Sequence, residues 1–268
     1  MQNQQNQKYK IGVIVICLNE PYWPFVRELE FGLKTFFLKN HDVEMLLWTD
    51  MSYTSIDATI FKTEPLEWPM PTLMRYHLFL QQEEKLKEYD YLFYVDADMA
   101  IVDFVGDEIL PEKGLMAAQH PMYALRPGLV PPYEPNPEST AHIPLPGRII
   151  EEEGKKKFET LYFAGGFQGG KTEEFIKAMK VMRERIDKDF THNYIARWND
   201  ESHWNRYLFE NPPSVVLNPS YVYPDSLIAQ YYIKVWGRNY SPKIITLTKK
   251  FTTSREAGAV ISKQLANM

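Results

Sequence analysis

The sequence is poor in the features that mark a secreted or membrane-embedded protein. Cys17 is the only cysteine among 268 residues, so no disulfide can form within the chain, which fits a reducing compartment. Residues 1–8 are mostly Gln and Asn and lack the apolar core of a signal peptide. No apolar run reaches the roughly 18 residues of a membrane span. The sequence therefore predicts a soluble, cytoplasmic protein with no transmembrane segment.

An excess of positive charge is also missing. The formal net charge is −5, from 30 Lys and Arg against 35 Asp and Glu. Because proteins that bind phosphate backbones are normally basic, we expect no nucleic-acid partner. Aromatic residues, in contrast, are plentiful, with six Trp and 17 Tyr. Their flat rings fill cores and also stack on bases and sugars.

Apolar runs and helical spacing alternate over the first hundred residues. Continuous apolar runs at residues 11–18 and 91–95 are typical of strands that are covered on both faces. Two further strands are predicted at residues 43–50 and 58–63, with helices at residues 22–39 and 72–88. This order favours an α/β fold, in which helices cover both faces of a mostly parallel, Rossmann-like sheet.

The predicted strand at residues 91–95 is followed by two carboxylates, Asp96 and Asp98. Side chains at i and i+2 of an extended segment point the same way, so both can reach one target. Two hard oxygen ligands suit Mg²⁺ or Mn²⁺, with phosphate oxygens and water completing the coordination. Open α/β sheets bind ligands at this end of their strands. The alternative is a solvated turn that carries two acidic residues by chance.

The middle of the chain is rich in proline. A charged run follows at residues 151–157, with three Glu, one Gly and then three Lys. We expect a long irregular segment here, because prolines interrupt helices and central strands. The prolines of residues 121–147 are Pro121, Pro127, Pro131, Pro132, Pro135, Pro137, Pro144 and Pro146. Long loops inside a compact domain are usually lids or binding walls. A flexible insertion is the alternative.

Two glycine pairs, at residues 165–166 and 169–170, end an apolar run that begins at residue 160. Glycine pairs permit a close approach of the backbone to a ligand, but the pattern favours a hairpin turn. An amphipathic helix is predicted next, at residues 172–186.

Residues 195–207 place Trp198, Asp200 and Glu201 close together. One interpretation is a catalytic carboxylate beside an aromatic wall. The other is the N-terminal cap of a helix, which needs no function. A late strand and loop are predicted at residues 215–225.

Short motifs along residues 10–235 resemble, in one order, the glycosyltransferase family 6 enzymes. That family contains the histo-blood-group A and B transferases, the α-1,3-galactosyltransferases and soluble bacterial relatives. The matching motifs are Trp48-Thr49-Asp50, residues 68–75, Asp90-Tyr91-Leu92, Val95-Asp96-Ala97-Asp98-Met99, Gly106, Glu108-Ile109-Leu110, His120-Pro121, Tyr133-Glu134, Ile143-Pro144, Ala164-Gly165-Gly166, Gly169-Gly170, Trp198, Asp200-Glu201-Ser202-His203 and Asn218-Pro219-Ser220-Tyr221. Each motif is weak alone, and their shared order makes the likeness specific.

The resemblance implies a glycosyltransferase-A type fold and a retaining reaction. In that reaction GalNAc or Gal passes from a UDP-sugar, in α-1,3 linkage, to a galactose-containing and possibly fucosylated oligosaccharide acceptor. Retention requires either a covalent glycosyl-enzyme or a front-face path, and the sequence leaves both open. Because the tail, anchor and stem of the animal enzymes are missing from the sequence, a bacterial- or phage-type member is expected.

The resemblance also implies roles for individual residues. Asp96 and Asp98 match the motif that holds Mn²⁺ or Mg²⁺ against the donor diphosphate, and Glu201 matches the carboxylate that faces the anomeric carbon. The implied donor-binding residues are Ile16, Cys17, Tyr22, Arg75, Ala97, Ala164, Gly165, Gly166 and Asp200, and the implied acceptor-binding residues are His120, Trp198 and Tyr133. The small residues at 164–166 leave room for an acetamido group, which favours UDP-GalNAc as the donor.

One catalytic domain is expected at residues 10–250, after a disordered head at residues 1–9. Its nucleotide-binding half would span residues 10–100 and its smaller acceptor-binding lobe residues 101–235, with a tail at residues 251–268. A non-catalytic nucleotide-sugar or glycan-binding protein with the same pocket is the alternative function. A phosphohydrolase with Asp96 as its nucleophile is disfavoured, because the usual Thr after such a motif is missing.

Overall fold

A computed structural model describes residues 7–52, 55–124, 130–144, 148–152, 155–159, 161–225 and 240–248, with residues 148–152 and 155–159 described by their backbone alone. Residues 1–6 of the predicted head and the predicted tail at residues 251–268 lie outside the described residues. So do residues 226–239, which include the end of the predicted acceptor-binding lobe.

The described chain alternates strands and helices. The strands are β1 (Lys10–Cys17), β2 (Asp42–Thr49), β3 (Thr59–Lys62), β4 (Tyr91–Val95), β5 (Met99–Ile101), β6 (Leu115–Gln119), β7 (Arg148–Glu152), β8 (Lys155–Glu159), β9 (Phe163–Lys171), β10 (Val215–Leu217), β11 (Tyr223–Pro224) and β12 (Ile244–Thr246). The helices are α1 (Trp23–Phe36), α2 (Met70–Leu73), α3 (Arg75–Leu80), α4 (Glu83–Leu86), α5 (Pro121–Ala124), α6 (Thr172–Thr191) and α7 (Asn199–Glu210). Short 3-10 turns lie at Glu20–Tyr22, Asp107–Ile109 and Pro219–Tyr221.

A seven-stranded sheet with the order β10-β6-β9-β4-β1-β2-β3 forms the centre of the fold. Strand β9 is antiparallel to both of its neighbours, and the other neighbouring pairs are parallel. One core layer packs α1 onto the sheet, and the other packs α3, α6 and α7 onto the opposite face. The predicted α/β fold, a mostly parallel sheet with helices on both faces, is confirmed. It agrees with a glycosyltransferase-A type fold.

A small second sheet holds the segment that follows the two carboxylates. Strand β12 pairs antiparallel with β5 and parallel with β11. The Leu247 N–H donates to the Asp98 carbonyl over 2.9 Å. The turn that carries Asp96 and Asp98 is therefore fixed between the central sheet and this small sheet.

The single helix predicted at residues 72–88 is wrong, because the structure breaks it into α2, α3 and α4. At the second break the Gln82 N–H donates to the Phe79 carbonyl, three residues back, over 3.0 Å. Bonds of this tighter kind shift the helical phase. The shift lets Phe79 and Leu86 both reach one core layer.

The hairpin turn predicted at the glycine pairs is also wrong, since both pairs lie inside β9. A Cβ atom at Gly169 would stand 2.3 Å from the Leu92 carbonyl oxygen, and one at Gly170 would stand 2.5 Å from the Gly114 carbonyl oxygen. Neighbouring backbone therefore approaches β9 too closely for a side chain. The glycines serve close packing, and the chain does not reverse there.

The proline-rich segment is less irregular than predicted. Helix α5 begins on Pro121, where the missing N–H of proline costs nothing. Residues 130–144 contain no helix and no strand longer than a single bridge residue, as expected. The backbone at β7 and β8 forms a hairpin whose register places acidic positions 151 and 152 opposite basic positions 156 and 155.

None of the helices in the described part of the chain combines the length and the apolarity that crossing a bilayer requires.

Candidate active site

A cleft of about 360 Å³ opens at the edge of the sheet where β1 and β4 end. Because β9 runs antiparallel, its beginning reaches the same edge as the ends of its neighbours. The cleft is lined by Ile16, Leu18, Asn19, Tyr22, Trp68, Pro71, Thr72, Arg75, Tyr94, Asp96, Ala97, Asp98, Gly165, Gly166, Trp198, Asn199, Asp200 and Glu201. Ligands of open α/β sheets bind at this edge.

Most of the site residues predicted from the sequence line this cleft. They are Ile16, Tyr22, Arg75, Asp96, Ala97, Asp98, Gly165, Gly166, Trp198, Asp200 and Glu201. Cys17 and Ala164 do not line it and are buried in the core layer beneath α1. Alternation along a strand explains this placement: Ile16 lines the cleft, so the next side chain points to the other face of the sheet.

His120 and Tyr133 also lie outside the cleft lining, in a neighbouring aromatic cluster with Tyr123 and Tyr162. The ring of Tyr162 stands 5.8 Å from the ring of His120, 5.1 Å from that of Tyr123 and 5.8 Å from that of Tyr133. The Tyr133 hydroxyl donates to the Leu161 carbonyl over 2.6 Å. Burial lowers the pKa of His120 to about 4, so its imidazole is neutral at physiological pH.

Several residues of the cleft were not predicted as site residues: Leu18, Asn19, Trp68, Pro71, Thr72, Tyr94 and Asn199. Trp68 was within reach of sequence reasoning, because it begins a motif that ends on Arg75. Its side chain is 71% exposed. An exposed Trp at the mouth of a cleft is a signal for a stacking surface.

Asp96 and Asp98 sit differently in the cleft. The Asp96 side chain is 33% exposed and accepts a hydrogen bond from the Tyr94 hydroxyl. Its backbone N–H donates to the Gly166 carbonyl over 2.9 Å. Asp98 is buried, at 4% exposure. The described residues hold no group of three or more His, Cys, Asp or Glu that could bind a metal. Any ion here would therefore take two protein ligands at most from this motif and the rest from substrate and water.

Arg75 is the one cationic residue among the described residues that line the cleft. Its Nη1 atom lies 3.2 Å from Asp200 Oδ2 and 3.6 Å from Asp96 Oδ1. Burial lowers the pKa of Arg75, but Asp200 and Asp96 raise it by more, so the guanidinium stays charged. Its Nε and Nη1 atoms have no hydrogen-bond partner among the described residues. Both atoms are buried, and Nη1 is held by its ion pair with Asp200. What Arg75 offers an anionic ligand in the cleft is therefore its charge.

Asp200 and Glu201 are neighbours in the first turn of α7 with different contacts. Asp200 is 5% exposed, and burial raises its pKa to about 6 against the opposing charge of Arg75. Burial also raises the pKa of Glu201 to about 7, although the Gly165 N–H donates to its Oε2 over 2.7 Å and opposes the shift. A carboxylate with a pKa near neutrality in a cleft is a candidate catalytic group.

The chain matches the family model described as glycosyltransferase family 6 over residues 1–243. The chain belongs to glycosyltransferase family 6. The match includes both the motif of Asp96 and Asp98 and the helix that carries Glu201. The resemblance found in the sequence is confirmed.

Family 6 relatives occur in bacteria and in mammals. The chain is 27% identical to the O-antigen biosynthesis glycosyltransferase WbnI of Escherichia coli over 90% of this chain and 95% of that protein. It is 36% identical to the histo-blood group ABO system transferase 1 of Rattus norvegicus over 53% of this chain and 37% of that protein. It is 28% identical to the human globoside alpha-1,3-N-acetylgalactosaminyltransferase 1 over 80% of this chain and 61% of that protein.

Membership of family 6 makes the chain a glycosyltransferase and supports transfer of a hexose. A nucleotide-sugar donor and a glycan acceptor follow from that class of reaction. The family does not by itself fix the donor sugar, the linkage or the metal.

Proposed function

We propose that this family 6 chain is a retaining α-1,3-glycosyltransferase that moves GalNAc, or alternatively Gal, from a UDP-sugar to a galactose-containing, possibly fucosylated glycan. The observation that carries the proposal is the convergence of three groups on one cleft: Glu201, the carboxylates of Asp96 and Asp98, and the guanidinium of Arg75. These groups match the charges that develop when a nucleoside diphosphate leaves a sugar.

The nucleotide end of the donor has an apolar and aromatic surface available. Ile16 and Tyr22 line the cleft next to the end of β1, and Trp68 and Trp198 stand at its mouth with 71% and 45% exposure. Flat rings of this kind stack on a uracil base or on a sugar face. We assign uridine to the Ile16 side and the acceptor sugar to Trp198.

Asp96 and Asp98 would hold a Mn²⁺ or Mg²⁺ ion against the donor diphosphate. Such an ion takes hard oxygen ligands and leaves positions for phosphate oxygens and water, which suits a site with two carboxylates. When bound, the ion supplies charge neutralisation for the leaving group. The guanidinium charge of Arg75, which lines the same cleft, would add electrostatic stabilisation to the same diphosphate.

Glu201 would act on the sugar rather than on the nucleotide. Loss of UDP leaves positive charge at the anomeric carbon, and a carboxylate close to that atom stabilises the charge or attacks the carbon. The N–H group of Gly165 orients the Glu201 carboxylate. The Asp200 carboxylate faces Arg75, which leaves Glu201 for the sugar.

UDP-GalNAc is our preferred donor, because small residues at 164–166 favour it in the family resemblance and two of them, Gly165 and Gly166, line the cleft. Enlarging Gly166 is nevertheless a poor test of that preference. A Cβ atom there would stand 2.6 Å from Asp96 Oδ2 and 2.6 Å from Met99 Cε, so a larger residue would displace Asp96. Direct competition between donors is the better experiment.

The test measures UDP release from UDP-GalNAc and UDP-Gal, with and without a β-galactoside acceptor, and determines the anomeric configuration of the product by NMR. We expect acceptor-stimulated release, an α-linked product and a higher kcat/KM for UDP-GalNAc. Glu201→Gln is the matched control for background hydrolysis. Better use of UDP-Gal would overturn the donor assignment. Tight UDP binding without any turnover would favour a non-catalytic nucleotide-sugar-binding protein.

A further inference from the structure

Strand β9 loses its regular partners where it enters the cleft. Its pairing with β4 runs only to Val95 opposite Phe167, and its pairing with β6 is irregular between Gln168 and Phe163. Residues 164–166 therefore lie between the regular ladder pairs of the described sheet. Two of them are glycines, whose backbone torsions are weakly restricted. Buried backbone groups require partners, and here side chains supply part of them beside the backbone bond from the Asp96 N–H to the Gly166 carbonyl.

Asn205 binds the backbone of Phe163, the residue that precedes this stretch. Its Oδ1 atom accepts the Phe163 N–H over 2.8 Å, and its Nδ2 group donates to the Phe163 carbonyl over 2.8 Å. The same Nδ2 group donates to the Glu201 carbonyl over 2.9 Å, one helical turn earlier in α7. Asn205 is 3% exposed. A single buried amide thus joins the beginning of β9 to the helix turn that carries Glu201.

Gln168 binds the backbone carbonyl of Gly165. Its Nε2 group donates to the Gly165 carbonyl over 2.8 Å, and its Oε1 atom accepts the Tyr76 hydroxyl over 3.0 Å. Gln168 and Tyr76 are both fully buried. The orientation of the Gly165 carbonyl is therefore fixed from α3, while the Gly165 N–H donates to Glu201 Oε2 over 2.7 Å.

We propose that Asn205 and Gln168 are positioning residues that set the Glu201 carboxylate in the cleft. One amide fixes the Glu201 backbone against β9, and the other fixes the residue that donates to the Glu201 side chain. Two separate hydrogen-bond chains thus end on Glu201, and neither amide lines the cleft. Active groups depend on such supporting contacts for a geometry within fractions of an ångström. The inference rests on the proposed function, in which Glu201 acts at the sugar.

The experiment compares Gln168→Met and Asn205→Leu, which keep side-chain size and remove the hydrogen bonds, with Ile186→Ala as a control. Ile186 lies on α6 and is buried in the core layer that also contains Tyr76. It takes no part in the two hydrogen-bond chains. We expect kcat of both amide variants to fall at least tenfold, while the Kd of UDP, measured by calorimetry, changes less than twofold. The control should lose thermal stability and keep kcat within twofold.

A second readout needs no turnover. Hydrogen exchange of the segment at residues 163–168, measured without substrate, should be at least tenfold faster in both amide variants and unchanged in the control. If the wild-type protein transfers no sugar, the proposed function fails, and exchange alone decides whether the amides order Gly165. Should Asn205→Leu not fold, Gln168→Met and the control decide the question.

Three results would overturn the proposal. One is a kcat loss in Ile186→Ala as large as that in the amide variants, since this would make the effect one of general stability. The second is an unchanged kcat in Gln168→Met. The third is unchanged exchange at residues 163–168 in both amide variants.

Discussion

The Arg75 guanidinium lies 3.2 Å from the Asp200 carboxylate, and this buried ion pair separates the roles of two adjacent acidic residues. Side chains at i and i+1 of a helix point in different directions. Asp200 therefore faces Arg75, while Glu201 faces the Gly165 N–H. The family resemblance implied the catalytic role for Glu201, and Asp200 was its close competitor on the same turn.

Asp200→Asn should lower stability. The change leaves the buried Arg75 charge with only the more distant Asp96, at 3.6 Å, as a counter-charge. Breaking a buried pair typically costs about 3–5 kcal/mol. Because burial raises the pKa of Asp200 to about 6, removing its charge also relieves a cost at pH 8, so the net loss should be smaller than that range. Thermal melts at pH 8 check this, with Glu184→Gln on the exposed side of α6 as a control. A wild-type melting temperature for Asp200→Asn would show that the pair contributes nothing to folding.

Glu201→Gln should lower kcat more than tenfold and leave the Kd of UDP near its original value. Its charge acts mainly in the transition state, where positive charge develops on the sugar. A tenfold loss corresponds to about 1.4 kcal/mol. Steady-state kinetics and calorimetry with UDP measure the two quantities. If Glu201→Gln kept more than about a tenth of wild-type turnover, the loss would be too small for a group at the reacting carbon. We would then assign the role to Asp200.

Activity should rise with pH through neutrality. Burial raises the pKa of Glu201 to about 7, and the ionised form is the one that stabilises positive charge. For such a pKa the ionised fraction grows from about 0.1 at pH 6 to about 0.9 at pH 8. The pH profile of kcat/KM should show this limb. A flat profile between pH 6 and 8 would contradict the assignment.

Glu201→Gln should also be more stable than the wild type at pH 8. The pKa of Glu201 is raised on folding, so its contribution to stability is full below the unfolded value, near 4.5, and is lost as pH rises through about 7. The advantage of the variant should be on the order of 1–3 kcal/mol at pH 8 and should vanish below pH 4.5. Melts across this range measure it. If the stability advantage of Glu201→Gln grew toward acid pH, the pKa of Glu201 could not be raised on folding, and burial of its charge would be excluded as the cause.

Turnover should require a divalent cation bound at Asp96 and Asp98. Asp98→Asn keeps the size of a buried residue and removes its charge, so we expect an intact fold and a loss of about a hundredfold or more in kcat. Asp103→Asn, an exposed acidic residue a few positions later, is the matched control. Chelation followed by titration with Mn²⁺ and Mg²⁺ completes the experiment. Undiminished activity in excess chelator would exclude the metal.

Much of the fold was predictable from local patterns. A strand covered on both faces must be apolar throughout, so β1 and β4 could be recognised from their continuous apolar runs. Asp96 and Asp98 come directly after the second run, which places them at the end of β4. The family was predictable as well, because its motifs keep one order along the chain. These features depend on residues that are adjacent in sequence, where side-chain periodicity and backbone preference act.

Tertiary structure decided which predicted residues meet. Gln168 pairs with Tyr76 across 92 positions, and Gly165 meets Glu201 across 36. The sequence pattern of the β9 glycines predicted a turn, and only the structure shows that the backbone of Leu92 and Gly114 approaches them closely. Cys17 and Ala164 fell on the core side of their strands. Such contacts are fixed by the order of the strands in the sheet and by the packing of both core layers. They join residues that are far apart along the chain, so no periodic pattern of the sequence predicts them.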